Sequence, residues 1–275
     1  MIRKAAAQDL PALARLENEA FGDDEPLCRL LLETFAGWEN VWLEEQDGRP
    51  VSMALTVPVT LGGANGAYLY ALATAKERRG QGHMTALIEH LKQVGRDCGW
   101  AFLCLIPAGA ELAAYYAARG FEPFFYRQAY RVPIRRNLLA VAEFDDVTMT
   151  VWPRLRAQLC SVPAVQLAPE SIRAVLTDYY TIGGSSVRTD EAYGFFRVRE
   201  GCLRFDEFFA RDERAAQLLL QASREKTGCE EACILAADGD LSFFGRGRRA
   251  AYGMWCLLEA PAPVHEGYLG MMLDT

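Results

Sequence analysis

The sequence predicts an α+β fold, a mixed β-sheet flanked by helices, and three observations support this. Through about residue 132 the predicted elements follow the order strand, helix, helix, three strands, helix, strand, helix, strand. Apolar residues in the helical segments recur every three or four positions, as on a helix with one buried face. The second half of the chain repeats one strand–helix–strand unit of the first half in weakened form. The 275 residues are therefore expected to form two related α+β domains.

Capping and turn residues indicate where the first strands and helices begin and end. MIRKA predicts a short strand, and Asp9 then stands at a helix N-cap position with Pro11 in the first turn. EPLCRLLLETF predicts a second helix. Asp47 and Gly48 separate two apolar-rich runs and can adopt the positive φ values of a tight turn, so these runs are predicted to form a β-hairpin.

The next segments predict a strand–helix–strand unit and its extension. GAYLYALATA and WAFLCLI predict the strands. The helix between them is predicted by apolar residues at helical spacing, Met84, Leu87, Ile88, Leu91 and Val94. ELAAYYAAR predicts another helix, which ends at Gly120 before the strand FEPFFYRQAYRV. We expect a domain boundary here, with domains at residues 1–133 and 134–275.

The second half carries the weakened copy. The segment from Cys202 to Gly239 can be laid on the segment from Ala67 to Gly109, strand on strand and helix on helix. The connection from strand to helix differs. In the first copy it runs from Lys76 to Gly82 and contains two glycines, whereas in the second it is little more than Arg211, Asp212 and Glu213, with no glycine. AAYGMWCLLEA and EGYLGMMLD predict two later strands.

Composition and charge narrow the range of partners. The net charge is −7, so a generic nucleic-acid or anionic-membrane partner is disfavoured, because neutralising phosphates requires a basic face. No stretch approaches the roughly 20 apolar residues of a membrane span. The N-terminus meets Gln8, Asp9 and Pro11 before any apolar run of signal-peptide length. The sequence therefore predicts a cytoplasmic protein.

The eight cysteines are scattered through apolar segments and do not frame a disulfide scaffold. Cys229 and Cys233 form the only close pair, and their spacing is not that of a zinc knuckle. Only three histidines, His83, His90 and His265, are present to complete a site. We therefore expect no structural metal.

The glycine-rich connection ERRGQGHM follows a strand and precedes a helix. The first N–H groups of a helix have no partner within it and the peptide dipoles converge there, so a helix start attracts an anion. Gly80 and Gly82 allow the backbone to turn its N–H groups toward a bulky phosphate, and Arg78 and Arg79 add charge at the rim. A surface turn with solvated arginines is the alternative. Dinucleotide and P-loop fingerprints fit worse, because Thr85 replaces the third glycine of one and Gly-Lys-Ser/Thr is absent.

The segment LATAKERRGQGHM resembles the coenzyme A motif of the GNAT N-acetyltransferase superfamily, Arg/Gln-x-x-Gly-x-Gly/Ala. Arg79, Gly82 and Met84 stand on its three named positions, and Met84 departs from the small residue that is usual there. Because a larger side chain could crowd the pyrophosphate, Met84 is the position at which the resemblance is weakest.

A second motif strengthens the resemblance. ELAAYYAARGFEP is similar to the family's Tyr-x-x-x-Gly-Phe segment, with Tyr116, Gly120 and Phe121 on the motif. The two motifs come in the family's order, separated by a helix and a strand. The resemblance covers about residues 1–130. For the remainder it implies only the second, degenerate GNAT-like domain that some bacterial members carry.

The resemblance implies a site for acetyl-CoA as co-substrate. In the family, N–H groups of the glycine loop hold the pyrophosphate, and a splayed strand pairs with the pantetheine arm and aims an N–H at the acetyl oxygen. Carried onto this sequence, the cofactor-binding residues are Leu72, Ala73, Thr74, Arg79, Gly80, Gln81, Gly82, His83 and Met84. We expect His83 to expose its side chain and to bind through its backbone.

The resemblance also assigns Tyr116 as the general acid that protonates the departing thiolate of coenzyme A, with ordinary aromatic packing as the alternative. The general base is left open. Candidates are two tyrosines of the cofactor strand, four acids near the loop between the first helices, and the C-terminus, namely Tyr68, Tyr70, Glu19, Asp23, Asp24, Glu25, Asp274 and Thr275.

The resulting prediction is an acetyl-CoA-dependent N-acetyltransferase that acts on a primary amine of a small molecule or peptide. The amine attacks the thioester directly, within a ternary complex. A non-catalytic acyl-CoA-binding or sensing module is the alternative, and a longer acyl chain stays open. The second domain is expected to shape the acceptor pocket or to form an interface, as in a homodimer.

Overall fold

The computed structural model describes residues 1–136, 144–270 and 273. The chain divides into two compact units. The first unit comprises Met1–Glu122, Gln166–Val175 and Gly253–His265, and the second comprises Pro123–Val165, Leu176–Tyr252 and Glu266–Thr275. That the chain forms separate domains at residues 1–133 and 134–275 stays a prediction. No helix of the described residues has the length and apolar character needed to cross a membrane.

The helices and strands are numbered here in chain order. The strands are β1 (Ile2–Lys4), β2 (Val41–Gln46), β3 (Arg49–Leu61), β4 (Ala64–Thr74), β5 (Phe102–Leu105), β6 (Glu122–Pro133), β7 (Gln166–Leu167), β8 (Ser185–Arg188), β9 (Ala192–Arg199), β10 (Cys202–Ala210), β11 (Glu231–Ala237) and β12 (Arg248–Leu257). The helices are α1 (Leu10–Phe21), α2 (Glu25–Leu30), α3 (His83–Asp97), α4 (Ala110–Ala117), α5 (Trp152–Leu159), α6 (Pro169–Thr181) and α7 (Glu213–Thr227), and a π-helical turn (Leu31–Ala36) extends α2.

The first unit is built on a mixed sheet in the order β1-β2-β3-β4-β5, with the C-terminal part of β12 on the far side of β5. Only β4 and β5 run parallel, and the other neighbours are antiparallel. The short strand β7 pairs with the end of β3. The predicted hairpin is confirmed, because Asp47 and Gly48 turn at φ 50° and 74° between β2 and β3.

Helix α1 begins where the sequence predicts. Asp9 is its N-cap residue and a proline occupies the first turn. The carboxylate of Asp9 does not cap the helix, because it accepts from Ala6 N at 2.9 Å and pairs with Arg3 at 2.8 Å. The helix ends at Gly22, whose φ of 84° suits a glycine C-cap. Helix α1 packs against α2, β3 and β4.

Helix α3 buries the face that its sequence period predicts. Leu87, Ile88 and Leu91 are fully buried in a cluster with residues of β4, β5 and α4. Burial of such a side chain contributes roughly 1.5–3 kcal/mol, so this face fixes the helix against the sheet. The start of α3 is thereby held in place at the C-terminal end of β4.

The second unit contains a sheet in the order β6-β11-β10-β9-β8, in which β10 and β11 run parallel. Helix α7 joins these two strands, as the predicted copy requires, and packs its apolar face on them. Its Leu219 and Leu220 are fully buried in a cluster that includes Phe205 of β10 and Ile234 of β11. The helix ends at Gly228, with φ 78°.

One predicted strand is wrong, and several elements were not predicted. In EGYLGMMLD, Tyr268 makes only an isolated bridge to Ala164, and the other described residues of the segment are not strand. The segment is instead held by side chains, since the main-chain oxygens of Leu269 and Gly270 accept hydrogen bonds from buried arginines. The unpredicted elements are α5, β7, α6, β8 and β9.

Candidate functional site

Strand β4 of the first unit extends well beyond its pairing with the short parallel strand β5. Pairing between β4 and β5 covers Gly66 to Tyr68 on β4 and ends before Leu105 on β5. Strand β4 continues to Thr74 while paired with β3 alone. Among the described residues, no strand pairs with its other edge there, so backbone groups at that edge are available to a ligand.

A β-bulge lies in the part of β4 that β5 does not cover. Met53 pairs with Ala73 and Leu55 with Tyr70, so a single residue of β3 faces both Ala71 and Leu72. Ala71 has φ 50°, a left-handed value that is uncommon for a residue with a side chain. Bulges of this kind re-aim the residues that follow them. The sequence analysis placed a splayed strand at Leu72–Thr74 but gave no sign of the bulge, because alanine is not a residue that marks one.

The glycine connection makes a tight bend into α3. Gly80 and Gly82 have φ 75° and 89°, values that favour glycine. A Cβ placed on either would meet nothing within 4 Å, so the space in front of both is open. Gly82 is the N-cap residue, and no side chain caps the helix. No side-chain acceptor therefore caps the first N–H groups of α3.

Two long side chains of the connection fold back on it. The exposed Arg79 donates from Nε to the carbonyl oxygen of Thr74 at 3.0 Å, and Gln81 donates from Nε2 to that of Glu77 at 3.1 Å. Arg79 ties the bend to the end of β4 and leaves both Nη groups at the rim. The bend is thus held in shape by its own polar groups.

The prediction that His83 exposes its side chain is wrong. The imidazole is buried, with Nδ1 at 3.1 Å from a carboxylate oxygen of Glu44 on β2. The reason is its place in the helix, since His83 precedes Leu87 by four residues and shares its buried face. Its backbone N–H stays at the helix start.

Met84 does not crowd the bend. Its side chain is partly buried and packs against the apolar cluster beneath α3. Leu72 packs on the same cluster from the bulged strand. The residue that departs from the family's motif therefore turns its bulk toward the core.

Tyr116 lies at the edge of this cluster on α4. Its side chain is 7% exposed, and its ring makes edge contacts with Tyr115 and Phe121 at centroid distances of 5.5 and 5.9 Å. Burial, with a smaller contribution from Tyr115, raises the pKa of Tyr116 to about 12. The phenol therefore keeps its proton at neutral pH, as a general acid must. The structure brings Leu72, Met84 and Tyr116 into one cluster.

An arginine that the sequence analysis did not single out lies beside the start of α3. The half-buried Arg119 donates from Nε and Nη2 to Thr85 Oγ1 at 3.0 and 2.6 Å, and its guanidinium lies 3.3 Å from the centroid of the Tyr115 ring. Thr85 belongs to the first turn of α3. Among the described residues no carboxylate pairs with Arg119, so its charge adds to the positive end of the helix.

The candidate bases near the first helices have different partners. Glu19 accepts from Lys76 N at 2.5 Å, and Asp24 caps α2 by accepting from Leu27 N at 2.9 Å. The exposed Glu25 pairs with Arg29. Asp23 is half-buried, and burial, followed by repulsion from Asp24, raises its pKa. Asp274 and Thr275 lie outside the described residues.

The sequence analysis missed Glu17. This residue of α1 is 1% exposed, although its side chain is a carboxylate. A signal was present, because Glu17 falls four residues after Leu13, on the apolar face of the helix, where a charged residue is out of place.

The equivalent helix start in the second unit is closed. Asp212 is the N-cap residue of α7, and its carboxylate accepts from Ala215 N at 2.8 Å. A side chain of the protein therefore already satisfies an N–H group of this helix start, which agrees with the lack of glycine in the predicted copy.

A comparison with known protein families matches only the first part of the chain. Residues 10–121 match the family model described as Acetyltransferase (GNAT) family. No curated protein matches the chain. The model match covers the part of the chain that contains the glycine bend, the bulged strand and Tyr116.

Solved structures share the fold over nearly the whole chain. A probable N-acyltransferase of Enterococcus faecalis is 15% identical with a TM-score of 0.76, covering 94% of this chain and 72% of its own. A GCN5-related N-acetyltransferase of Kribbella flavida is 16% identical with a TM-score of 0.74, covering 95% and 71%. A tandem GNAT protein of the clavulanic acid biosynthesis pathway is 14% identical with a TM-score of 0.54, covering 95% and 99%.

At these identities the neighbours show the fold alone. They confirm the predicted fold class, a mixed GNAT-like sheet flanked by helices and followed by a second, degenerate GNAT-like domain.

Proposed function

We propose that the chain, of which residues 10–121 match the GNAT family of acetyltransferases, is an N-acetyltransferase that uses acetyl-CoA and acetylates a primary amine of a small molecule or peptide. The observation that carries the proposal is the uncapped start of α3, set at a glycine bend that follows the part of β4 not paired with β5. The family assignment gives the enzyme class, and the co-substrate, the mechanism and the acceptor are our proposal.

The start of α3 holds the pyrophosphate of the co-substrate. Backbone N–H groups from Gln81 to Met84 face it, and the open space in front of Gly80 and Gly82 lets phosphate oxygens approach the backbone closely. Arg79 and Arg119 add positive charge at two sides of the bend. A hydrogen bond from a guanidinium to a phosphate oxygen is stronger than one between neutral groups.

The free edge of β4 holds the pantetheine arm. Beyond Tyr68 the strand presents main-chain donors and acceptors that β5 no longer satisfies, so the amide groups of the arm bind as an added strand. The bulge re-aims Leu72, Ala73 and Thr74, and one N–H of this segment faces the acetyl oxygen. This donor stabilises the oxyanion that forms when the amine attacks.

Tyr116 supplies the proton for the leaving group. Its phenol remains protonated at neutral pH, because burial raises its pKa to about 12. When the C–S bond breaks, the developing thiolate takes this proton, and direct attack in a ternary complex needs no covalent intermediate on the protein. A tyrosine at this position of the motif supports the enzyme over a module that only binds acyl-CoA.

The experiment is a calorimetric titration of acetyl-CoA into the protein, followed by a free-thiol assay with a set of primary amines. We expect saturable binding by the wild type and its loss in Gly82→Val, because a side chain is strained at φ 89° and fills the space of the phosphate.

The chain offers a matched control for this variant. Gly63, in the turn between β3 and β4, has φ 83° and also has nothing within 4 Å of an added Cβ. Gly63→Val therefore carries similar backbone strain at a distance from the bend and is expected to bind acetyl-CoA as the wild type does. A wild type that does not bind acetyl-CoA would refute the proposal.

A further inference from the structure

Helix α1 buries a carboxylate that has no partner. Glu17 is 1% exposed, and neither of its carboxylate oxygens has a hydrogen-bond partner among the described residues. A buried charge without a partner is strongly destabilising, and nearly all buried polar groups in native proteins are hydrogen-bonded. Leu13, one turn earlier on the same face, is fully buried in the ordinary way. An unsatisfied carboxylate in this place therefore needs a functional explanation.

The surroundings of Glu17 favour its protonated form. The elements packed against α1 are α2, β3, β4 and the 3-10 turn Ala7–Asp9 that precedes it. With the connection from α1 to α2, they contribute the following ionisable groups: Asp9, Asp23, Asp24, Glu25, Cys28, Arg29, Arg49, Tyr68 and Tyr70.

Among these groups, repulsion by Asp23 disfavours a charge on Glu17, and none of the described groups attracts such a charge. Burial first, and Asp23 second, raise the pKa of Glu17 to about 8. The thiol of Cys28 on α2 has its pKa raised to about 12 by burial and then by Glu17 and Asp23. Glu17 therefore changes its charge near neutral pH, when a cation arrives or the pH rises.

Helix α1 lies beside the part of β4 where the thioester is expected. Glu19, two residues after Glu17, accepts from Lys76 N directly after β4 ends. On the same strand the ring of Tyr70 makes an edge contact of 5.4 Å with Phe35, which follows α2. The first two helices thus cover β4 next to its bulge, and Asp23 in the connection between them is half-buried and reaches solvent.

We propose that Glu17 accepts the proton that the acceptor amine loses, and that Asp23 receives the charged amine at the surface and passes this proton inward. This inference rests on the proposed function and identifies the group that performs the base step. It also defines the acceptor as an amine that arrives as an ammonium cation, because Asp23, which has no ion-pair partner among the described residues, attracts positive charge.

The protons and bonds balance as follows. The ammonium gives one proton, by way of Asp23, to the Glu17 carboxylate and becomes a neutral amine. The amine nitrogen attacks the thioester carbonyl, so a C–N bond forms. The C–S bond then breaks with its electron pair on sulfur, and the thiolate takes the proton of Tyr116. The second proton lost by nitrogen restores Tyr116, and Glu17 releases its proton to solvent.

The test compares Glu17→Gln with the wild type, using spermidine, tyramine and a tripeptide with a free N-terminus as probes. We expect kcat to fall by about 100-fold or more while acetyl-CoA affinity is unchanged. The wild-type kcat/KM should rise with pH through about 8, and this step should be absent in the variant. Glu17→Asp keeps a carboxylate and should recover part of the rate. Glu33→Gln, which removes an exposed charge near α2, is the matched control.

Several outcomes would overturn the inference. One is an unchanged rate and pH profile in Glu17→Gln, which would leave the proposed function standing. Another can be observed without an acceptor amine, by carbon-13 NMR of protein labelled at its carboxyl groups. The Glu17 signal is the one that disappears in Glu17→Gln, and it should titrate near pH 8. An ordinary carboxyl pKa for this signal would contradict the proposal. Failure of the wild type to bind acetyl-CoA would instead count against the proposed function.

Discussion

Helices α3 and α7 have equivalent places in the two units, and their starts differ in one respect. Each connects two parallel strands and buries one apolar face on them. At the start of α3, Gly82 leaves the N–H groups without a side-chain cap, whereas at the start of α7 the carboxylate of Asp212 accepts from one of them. The same local structure is thus open to an external anion in the first unit and closed by an internal one in the second.

Buried carboxylates show the same contrast. Glu207 of β10 is fully buried and accepts from Trp152 Nε1 at 2.7 Å and Tyr193 Oη at 2.6 Å, and it pairs with the guanidinium of Arg156. Glu17 is just as buried and has no partner among the described residues. The second unit therefore uses its polar groups to hold its own fold, and the first leaves polar groups available for ligands.

The largest effect is expected on the catalytic rate, from a change at Tyr116 in the first unit. Tyr116→Phe should lower kcat by about 100-fold to 10,000-fold, the range for loss of a general acid, and leave acetyl-CoA affinity nearly unchanged. Stopped-flow and steady-state thiol release measure the rate, and calorimetry measures the affinity. Tyr115→Phe, which changes the neighbouring ring, is the control, and its kcat should fall at least about tenfold less than that of Tyr116→Phe. Equal losses would assign Tyr116 to packing.

In the second unit, loss of a buried charge should lower the stability of the fold. Arg156→Leu leaves the Glu207 carboxylate buried without its cation, so we expect it to lower the free energy of unfolding of the second unit by about 3–5 kcal/mol. Urea unfolding followed by the fluorescence of the tryptophans measures this. Arg131→Leu breaks the exposed pair with Glu231 and is the matched control, with no measurable change expected. If the two variants were equally stable, the buried cluster would not support the second unit.

Glu17→Gln should stabilise the first unit at alkaline pH. The folded pKa of Glu17 is raised to about 8 from the ordinary value of 4.5, so the folded state binds the proton more tightly than the unfolded chain. The wild type therefore loses stability as the pH rises from about 4.5 to about 8, by at most about 5 kcal/mol, and Gln does not. Thermal unfolding at pH 5 and pH 9 should show a gain for the variant at the higher pH only. A variant less stable than the wild type at both would mean that Glu17 has a structural partner.

The smallest effect concerns the cap of α7. Asp212→Ala removes the acceptor for Ala215 N and should cost about 1 kcal/mol of unfolding free energy, as the loss of an N-cap usually does. Acetyl-CoA affinity should not change, because this helix start is not the proposed phosphate site. A change in affinity would show that the two helix starts do not have separate roles.

The sequence carried enough to predict the strand–helix–strand units, because helix period, glycine bends and turn residues act locally. It also predicted the contrast between the two connections, since two glycines are present in one and absent from the other. The strand expected over EGYLGMMLD failed because buried arginines, distant in sequence, hold that segment.

The side chains of the site could be predicted less well. The place of His83 on the buried face of α3 could be read from its spacing to Leu87, but its contact with Glu44 of β2 could not. The bulge at Ala71 depends on the register of β3 and β4, which no residue type in that stretch announces. Glu17 was detectable as a charged residue on an apolar helix face, but its lack of a partner follows only from the packing of α1, α2 and the sheet.

The central claim is that the start of α3 binds the phosphates because no side chain caps it. The most direct measurement is a calorimetric titration of acetyl-CoA into Gly82→Asp, which puts a carboxylate at the N-cap position that Asp212 occupies in α7. Gly63→Asp, which places the same residue at a similar φ elsewhere, is titrated beside it. We predict that Gly82→Asp weakens acetyl-CoA binding by about 100-fold or more, or about 2.7 kcal/mol, and that Gly63→Asp binds as the wild type does. Equal affinity in the two variants would contradict the claim.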